Sequence, residues 1–254
     1  MDIVLIGSGN VAHHLGAALK KAGHRIVQVY SPTAEHARRL ADFLQSEATQ
    51  SLHDLRSDAD LYILAVRDQA IPEVVQQLPL SWQGTVVHTS GATSIDLLDK
   101  WSKYGVIYPP QSLSKEVPTD LSLIPFAIEG NKEAVKDFLF TTIHPIAPLS
   151  FEANSTQRLA LHIAAVFANN FSNALYKIAF DILSDQNLPV DVIRPIILES
   201  AMKVQNRLPQ QVQTGPARRN DTLTMEKHLE YLKLEPDWQT IYQIMSQFIK
   251  KSEI

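Results

Sequence analysis

Apolar and polar positions along this chain follow two rhythms. Asp2–Ile6, Arg25–Tyr30 and segments 61–66, 85–89, 105–108 and 126–128 are short runs rich in Val, Ile and Leu. They are too short for helices and end at glycine or polar residues, which predicts buried strands. Residues 11–22 instead place Val11, Leu15, Ala18, Leu19 and Ala22 on one helical face, and Gly23 stops the run. Ala34–Leu44 has the same period, with Thr33 in place to cap it. Strand and helix alternating through short connections predict an α/β fold, a doubly wound and mostly parallel sheet built by right-handed crossovers.

Past Pro148 the pattern changes. A helical run opens at Asn154 or Ser155 and extends to about 184, with Phe167, Phe171, Leu175, Ile178 and Ile182 on its apolar side. Further helical stretches are expected over 191–207, 222–233 and 236–251, and no strand after 130. The reading is an α/β domain over 1–150 followed by a smaller all-helical domain over 151–254. Apolar residues cover so much of the long helix that a shared interface is expected, making the protein a homodimer through its helical domain.

Composition narrows the chemistry. Of the 254 residues, 45% are hydrophobic and 20% charged, which is ordinary for a folded globular chain. The formal charge of −4 leaves no basic surplus for a phosphate backbone, so nucleic acid is not an expected partner. The absence of cysteine excludes disulfides, thiol nucleophiles and cysteine-bound metals. No clustered His and carboxylate pattern suggests a metal. No apolar run reaches the roughly 18 residues of a membrane span, and the chain opens without a secretory pattern. The expectation is a soluble cytoplasmic protein with no membrane partner.

The strongest local motif is Gly7-Ser8-Gly9-Asn10-Val11-Ala12, a G-x-G-x-x-A turn leaving the first strand and opening the first helix. Such a turn suits a dinucleotide: the first glycine bends tightly, the second admits a pyrophosphate, and the small sixth residue brings helix onto sheet. The second strand closes Val29-Tyr30-Ser31 without the Asp or Glu that holds a ribose 2′-hydroxyl. Ser31 and Thr33 offer hydroxyls to a 2′-phosphate instead, with Arg38 or Arg39 nearby, so NADP is the expected cofactor. Ala65, Val66, Arg67 and Gln69 follow the 61–66 strand and would line the same crevice, as would Ser90 and Gly91 after the 85–89 strand.

Proton-handling candidates lie nearby. His88 ends its strand and titrates near neutrality when unperturbed, although alternation also allows it to turn into the sheet. On the long helix, Arg158, His162, Asn169 and Asn173 share a polar stripe, either a solvated face or the wall of a cleft. The loop Thr214-Gly215-Pro216-Ala217-Arg218-Arg219-Asn220-Asp221 is either a charged turn or an anion clamp.

Together these segments resemble the Rossmann-like NADP oxidoreductases whose C-terminal helical domain is of unknown function. These are distant relatives of pyrroline-5-carboxylate reductase and 6-phosphogluconate dehydrogenase. The likeness rests on the glycine turn, His88-Thr89-Ser90-Gly91-Ala92, Pro109-Pro110-Gln111, Phe126-Ala127-Ile128-Glu129-Gly130, the run from His162 to Asn170, and Thr214-Gly215-Pro216 with Arg219 and Asp221. It implies an NADP-binding domain and a helical domain that dimerises and closes one side of a cleft. Relatives often carry histidine at Tyr108 and glycine at Asn220, so the chain departs there. The expected function is NADP(H)-dependent hydride transfer to or from a small, anionic carbonyl, imine or hydroxy compound held between the domains. Ser90, His162, Asn169 and Asn170 are placed near the reacting centre, His88 is a second proton candidate, and Arg219 is the substrate clamp. The alternative is a non-catalytic NADP-binding sensor or partner-binding protein on the same fold.

Overall fold

The apolar runs pair edge to edge because each presents two faces for burial. In chain order the sheet unit comprises β1 (Asp2–Ile6), α1 (Asn10–Lys21), β2 (Arg25–Tyr30), α2 (Ala34–Leu44), β3 (Glu47–Thr49), β4 (Leu61–Leu64), α3 (Ile71–Gln77), β5 (Thr85–His88), β6 (Tyr104–Tyr108), β7 (Ala127–Gly130), α4 (Glu133–Ile143), β8 (Phe151–Glu152) and α5 (Ser155–Ala165). The strands form one eight-stranded sheet in the order β3-β2-β1-β4-β5-β6-β7-β8. All neighbours are parallel except β6 and β7. This computed structural model describes residues 1–251.

Alternation sorts side chains between the two faces. Ile3, Leu5, Leu61, Ile63, Val87 and Ile107 join Leu15 and Leu19 of α1, Leu40 and Leu44 of α2, and Leu139 of α4 in one buried layer. Val4, Ile6, Tyr62, Leu64 and Val86 pack in the other with Val74 and Val75 of α3. There Tyr62 stacks on Trp82 with ring centroids 3.8 Å apart. Burial on both faces explains why these strands read as unbroken apolar runs.

Two strands lie outside the pattern. β3 has only three residues, mostly exposed, and β8 has two. β8 contradicts the expectation that no strand follows residue 130. It is recruited by the backbone: Phe151 N–H donates to Phe126 O at 2.9 Å and Ala153 N–H to Ile128 O at 3.1 Å. Pairing of this kind needs an existing sheet edge and leaves no periodic signal in the side chains.

The chain divides into two compact units, one from Met1 to Asn170 and one from Phe171 onward. Helix α5 belongs to the first. Its start is a capping box in which Asn154 Oδ1 accepts from Gln157 N–H and Gln157 Oε1 from Asn154 N–H, both at 2.9 Å. After α5 the long helix does not continue regularly, because Val166–Phe171 is a π-helical segment.

The second unit contains α6 (Ser172–Asp185), α7 (Arg194–Asn206), α8 (Pro209–Val212), α9 (Thr222–Tyr231) and α10 (Pro236–Lys251). Among its described residues only Ala217, Leu232 and Ser246 are buried, whereas Leu188, Val192, Ile196, Leu198 and Met202 are exposed. No helix among the described residues is long and apolar enough to cross a membrane.

The central layer sets the stability of the sheet unit. Ile63→Ala is expected to cost about 2–5 kcal/mol in urea denaturation. Leu123→Ala, at a site 72% exposed, is expected to stay within about 0.5 kcal/mol of the unaltered protein.

Candidate active site

Parallel pairing of β1, β4, β5 and β6 puts the carboxyl ends of these strands on one edge, where doubly wound sheets bind ligands. β1 leaves that edge through Gly7, whose φ of +119° favours glycine. A Cβ there would stand 2.3 Å from Ala65 O, so only glycine lets the exits of β1 and β4 touch. Gly9 differs. Its φ is −75°, and a Cβ would meet nothing nearer than Ala65 O at 4.0 Å. Neither backbone strain nor a protein neighbour calls for glycine at this position, and no side chain caps the first N–H groups of α1. Bare backbone beside uncapped donors at Asn10 and Val11 fits a dinucleotide pyrophosphate.

β2 closes at buried Tyr30, with no carboxylate following it. Ser31 is buried, and its Oγ accepts from Ser8 Oγ at 3.0 Å and from Thr33 N–H at 3.4 Å, tying the glycine turn to the end of β2. Thr33 is exposed at the start of α2, and its hydroxyl makes no capping bond. After β4, Ala65 is buried and Val66 half-buried, while Arg67 and Gln69 are exposed on the turn that follows.

The exit of β5 is held from inside. His88 is fully buried. Its Nδ1 accepts from Ser90 N–H at 3.2 Å and its Nε2 faces Ser94 O at 3.4 Å, which selects the Nε2–H tautomer. Burial first, and then the charge of Arg158, push its pKa down to about 4. His88 is thus a neutral structural histidine. Ser90 is also engaged: its Oγ accepts from Ala92 N–H at 3.2 Å and Thr93 N–H at 3.0 Å.

Arg158 is the clamp on this region. Its guanidinium is completely buried. It pairs with Glu129 of β7 and donates to the carbonyls of Ser90, at 3.1 Å from Nε, and of Thr93. Ser155 Oγ donates in turn to Glu129. One turn along α5, His162 Nδ1 shares a hydrogen bond with the Tyr108 hydroxyl at 3.1 Å. Gly91 is what allows the pair to close on the loop: a Cβ on it would lie 2.7 Å from Tyr108 Cζ and 2.9 Å from His162 Nδ1. Burial, and secondarily Asp68, raise the Tyr108 pKa, so the phenol stays protonated.

Tyr108 and His162 line a cavity of about 360 Å³, with Gln111, Ser112, Asn169 and Asn170 among the other walls. None of its lining residues is Asp, Glu, Lys or Arg. Asn169 and Asn170 are consecutive yet both face the cavity. A regular α-helix turns neighbours 100° apart, and the wider π turn through Val166–Phe171 changes that register.

The polar stripe divides: Arg158 is buried against Glu129, His162 and Asn169 line this cavity with Asn169 also open to solvent, and Asn173 is exposed outside it. The structure brings His162, Asn169 and Asn170 together, with Ser90 and Gly91 in the loop behind them. Tyr108 joins as a residue that the strand pattern alone did not assign, although its place at the carboxyl end of β6 was the available signal. Arg219 lies exposed in the second unit, in a loop where Asn220 has φ +53° and Asp221 caps α9 through Thr224 N–H at 3.1 Å. Asparagine tolerates that left-handed conformation.

The depressed pKa of His88 has a measurable sign. The unfolded chain takes up the proton first, so the stability contributed by neutral His88 is fully present above about pH 6.5. It is lost as pH falls toward about 4. The loss is expected to reach about 3 kcal/mol, and His88→Gln should flatten that part of a urea-denaturation series against pH.

Residues 1–110 match a family described as a Rossmann-like domain. Residues 124–249 match a domain of unknown function, DUF2520. No curated protein matches the chain. Among solved structures, a Bacteroides fragilis protein described as a candidate NADP oxidoreductase is 38% identical, with a TM-score of 0.90 and 98% of each chain covered. A Thermotoga maritima protein shares 23% identity at a TM-score of 0.74, again over 98% of each chain. The imine reductase of Myxococcus stipitatus, solved with NADP+, shares 14% identity at a TM-score of 0.68, covering 99% of this chain and 94% of its own. The 1-pyrroline-5-carboxylate reductase of Streptococcus pyogenes shares 16% at 0.65, over 98% of each chain. These last three likenesses show the fold. With its glycine turn, doubly wound sheet and helical C-terminal region, the chain belongs to the family of Rossmann-like, DUF2520-containing NADP-type oxidoreductases represented by the Bacteroides fragilis protein.

Proposed function

We propose that this protein is an NADP(H)-dependent reductase of a small carbonyl or imine compound, or the dehydrogenase of its reduced form. The observation that carries the reading is the Tyr108–His162 hydrogen bond at a cavity wall, with Tyr108 ending β6 on the same sheet edge as the glycine turn after β1.

A nicotinamide dinucleotide, when bound, supplies the hydride. Gly7, Ser8, Gly9, Asn10 and Val11 would hold its diphosphate, and Tyr30, Ser31 and Thr33 its adenosine ribose. The lack of a carboxylate after β2 favours a 2′-phosphate, hence NADP over NAD. Ala65, Val66, Arg67 and Gln69 would flank the ribose, and Ser90 and Gly91 the nicotinamide.

What this chain adds is a proton and an orientation. The Tyr108 phenol, kept protonated by burial, donates to the substrate oxygen or nitrogen as the adjacent carbon takes up the hydride. The phenolate then recovers a proton from His162 Nδ1 as solvent delivers one to Nε2, so the imidazole changes tautomer and is left without charge. Asn169, Asn170 and Gln111 orient the substrate through uncharged donors and acceptors. Buried and neutral in its own hydrogen bonds, His88 is left out of proton transfer in this scheme.

The helical unit supports one more reading. A unit of this size with so few buried residues has too little core to be stable alone. We infer that its exposed Ile196, Leu198 and Met202 are covered by a second copy, making the protein a homodimer.

Calorimetric titration is expected to show tight NADPH binding and weak NADH binding. Tyr108→Phe should lower kcat with a cyclic imine by about 10²–10⁴-fold while NADPH affinity holds. Full activity in Tyr108→Phe would count against the proton role, and NADPH binding with no turnover across carbonyls and imines would leave a binding protein.

A further inference from the structure

The segment joining β6 to β7 folds back over the glycine turn and is tied to it by successive residues. Asn10 Nδ2 donates to Leu113 O at 2.7 Å, His14 Nε2 to Ser114 O at 2.8 Å, and Lys115 Nζ to Ser8 O at 2.7 Å. Leu113 is buried and anchors the segment in the core beside α1, whereas Lys115 is exposed. An ammonium has three donors, and the Ser8 carbonyl takes one of them.

The surroundings carry both signs of charge. Burial first, and then neighbours that include Lys115 and Arg39, hold the His13 pKa below the ordinary histidine value. Glu116 is there as well, fixed by the Ser114 hydroxyl and kept ionised by it, with Lys115 and Arg39 contributing. Lys115 and Arg39 stand against the single carboxylate of Glu116, beside a helix that also presents its positive end. An anion placed among them offsets the remaining positive charge.

We propose that Lys115 is a ligand for a phosphate of the dinucleotide, and that residues 113–115 form a strap which holds the cofactor on the glycine turn. This rests on the cofactor reading above. The ammonium sits on the Ser8 carbonyl beside the Ser8–Ser31 bridge, between the turn that would take the diphosphate and the β2 end that would take a 2′-phosphate. With only a carbonyl to give up, it can add a charge-assisted bond to a phosphate oxygen without breaking an ion pair.

The test is calorimetry on the full chain and on Lys115→Ala and Lys115→Arg, with NADPH, NADH, adenosine 2′,5′-bisphosphate and ADP as probes. Lys115→Ala is expected to lose about tenfold in NADPH affinity, and Lys115→Arg to retain most of it. A loss confined to NADPH and adenosine 2′,5′-bisphosphate assigns the 2′-phosphate, an equal loss for every probe assigns the adenosine 5′-phosphate that all four carry, and a loss that spares only adenosine 2′,5′-bisphosphate assigns the second phosphate of the diphosphate. Unchanged affinities in Lys115→Ala overturn the proposal. If the unaltered protein binds adenosine 2′,5′-bisphosphate or ADP but neither NADPH nor NADH, the oxidoreductase reading fails. The phosphate role of Lys115 then stands or falls on the alanine variant alone. Binding of no probe overturns both.

Discussion

One buried guanidinium organises the candidate site. Arg158 comes from the second turn of α5, yet its partners are the loop after β5 and Glu129 on β7. A buried charge of this kind is costly to desolvate and holds its place only with its donors satisfied. Its carboxylate and carbonyl partners meet that condition, which fixes α5 against the sheet in a single rotation and register. His162, one turn further, is thereby brought onto Tyr108. The same charge also helps keep His88 neutral, so one interaction bears on the surroundings of two histidines.

The glycines divide along a similar line between structure and ligand. Gly7 and Gly91 are required by the protein itself, because a methyl group at either would strike Ala65 O or the Tyr108–His162 pair. Gly9 is required by neither neighbour nor backbone angle, and its smallness has a physical reason only if something outside the chain approaches it. A motif match treats the two glycines of the turn as equals. The geometry assigns the first to the fold and leaves the second without a demand from within the chain.

The two units show opposite uses of apolar surface. The sheet unit buries both faces of its central strands under helices, so its core is complete within one chain. The helical unit leaves large apolar side chains at the surface, and hydrophobic burial there needs a further surface to pack against. The candidate site therefore sits on the unit with the filled core, and the exposed apolar surface is concentrated in the helices.

Much of the sheet was readable directly from the chain, because strands buried on both faces must be apolar throughout and the turn between β1 and α1 has few sequence solutions. Asp2–Ile6, Arg25–Tyr30 and Ala34–Leu44 form where periodicity placed them, and the glycine turn marked the ligand edge. β3 and β8 escaped because backbone pairing to an existing edge asks nothing of side chains. The identity of the clamp escaped as well: Arg158 looks like one member of a solvated stripe until Glu129 and the carbonyls of Ser90 and Thr93 are brought around it. The π turn at Val166–Phe171 and the Lys115 strap depend on contacts between residues far apart in the chain. Local pattern thus determined which segments of the sheet unit became strands and helices and where the glycine turn leaves the sheet. Tertiary structure alone decided which histidine was shut away and which faced a cavity, because that choice depends on the neighbours that close around each ring.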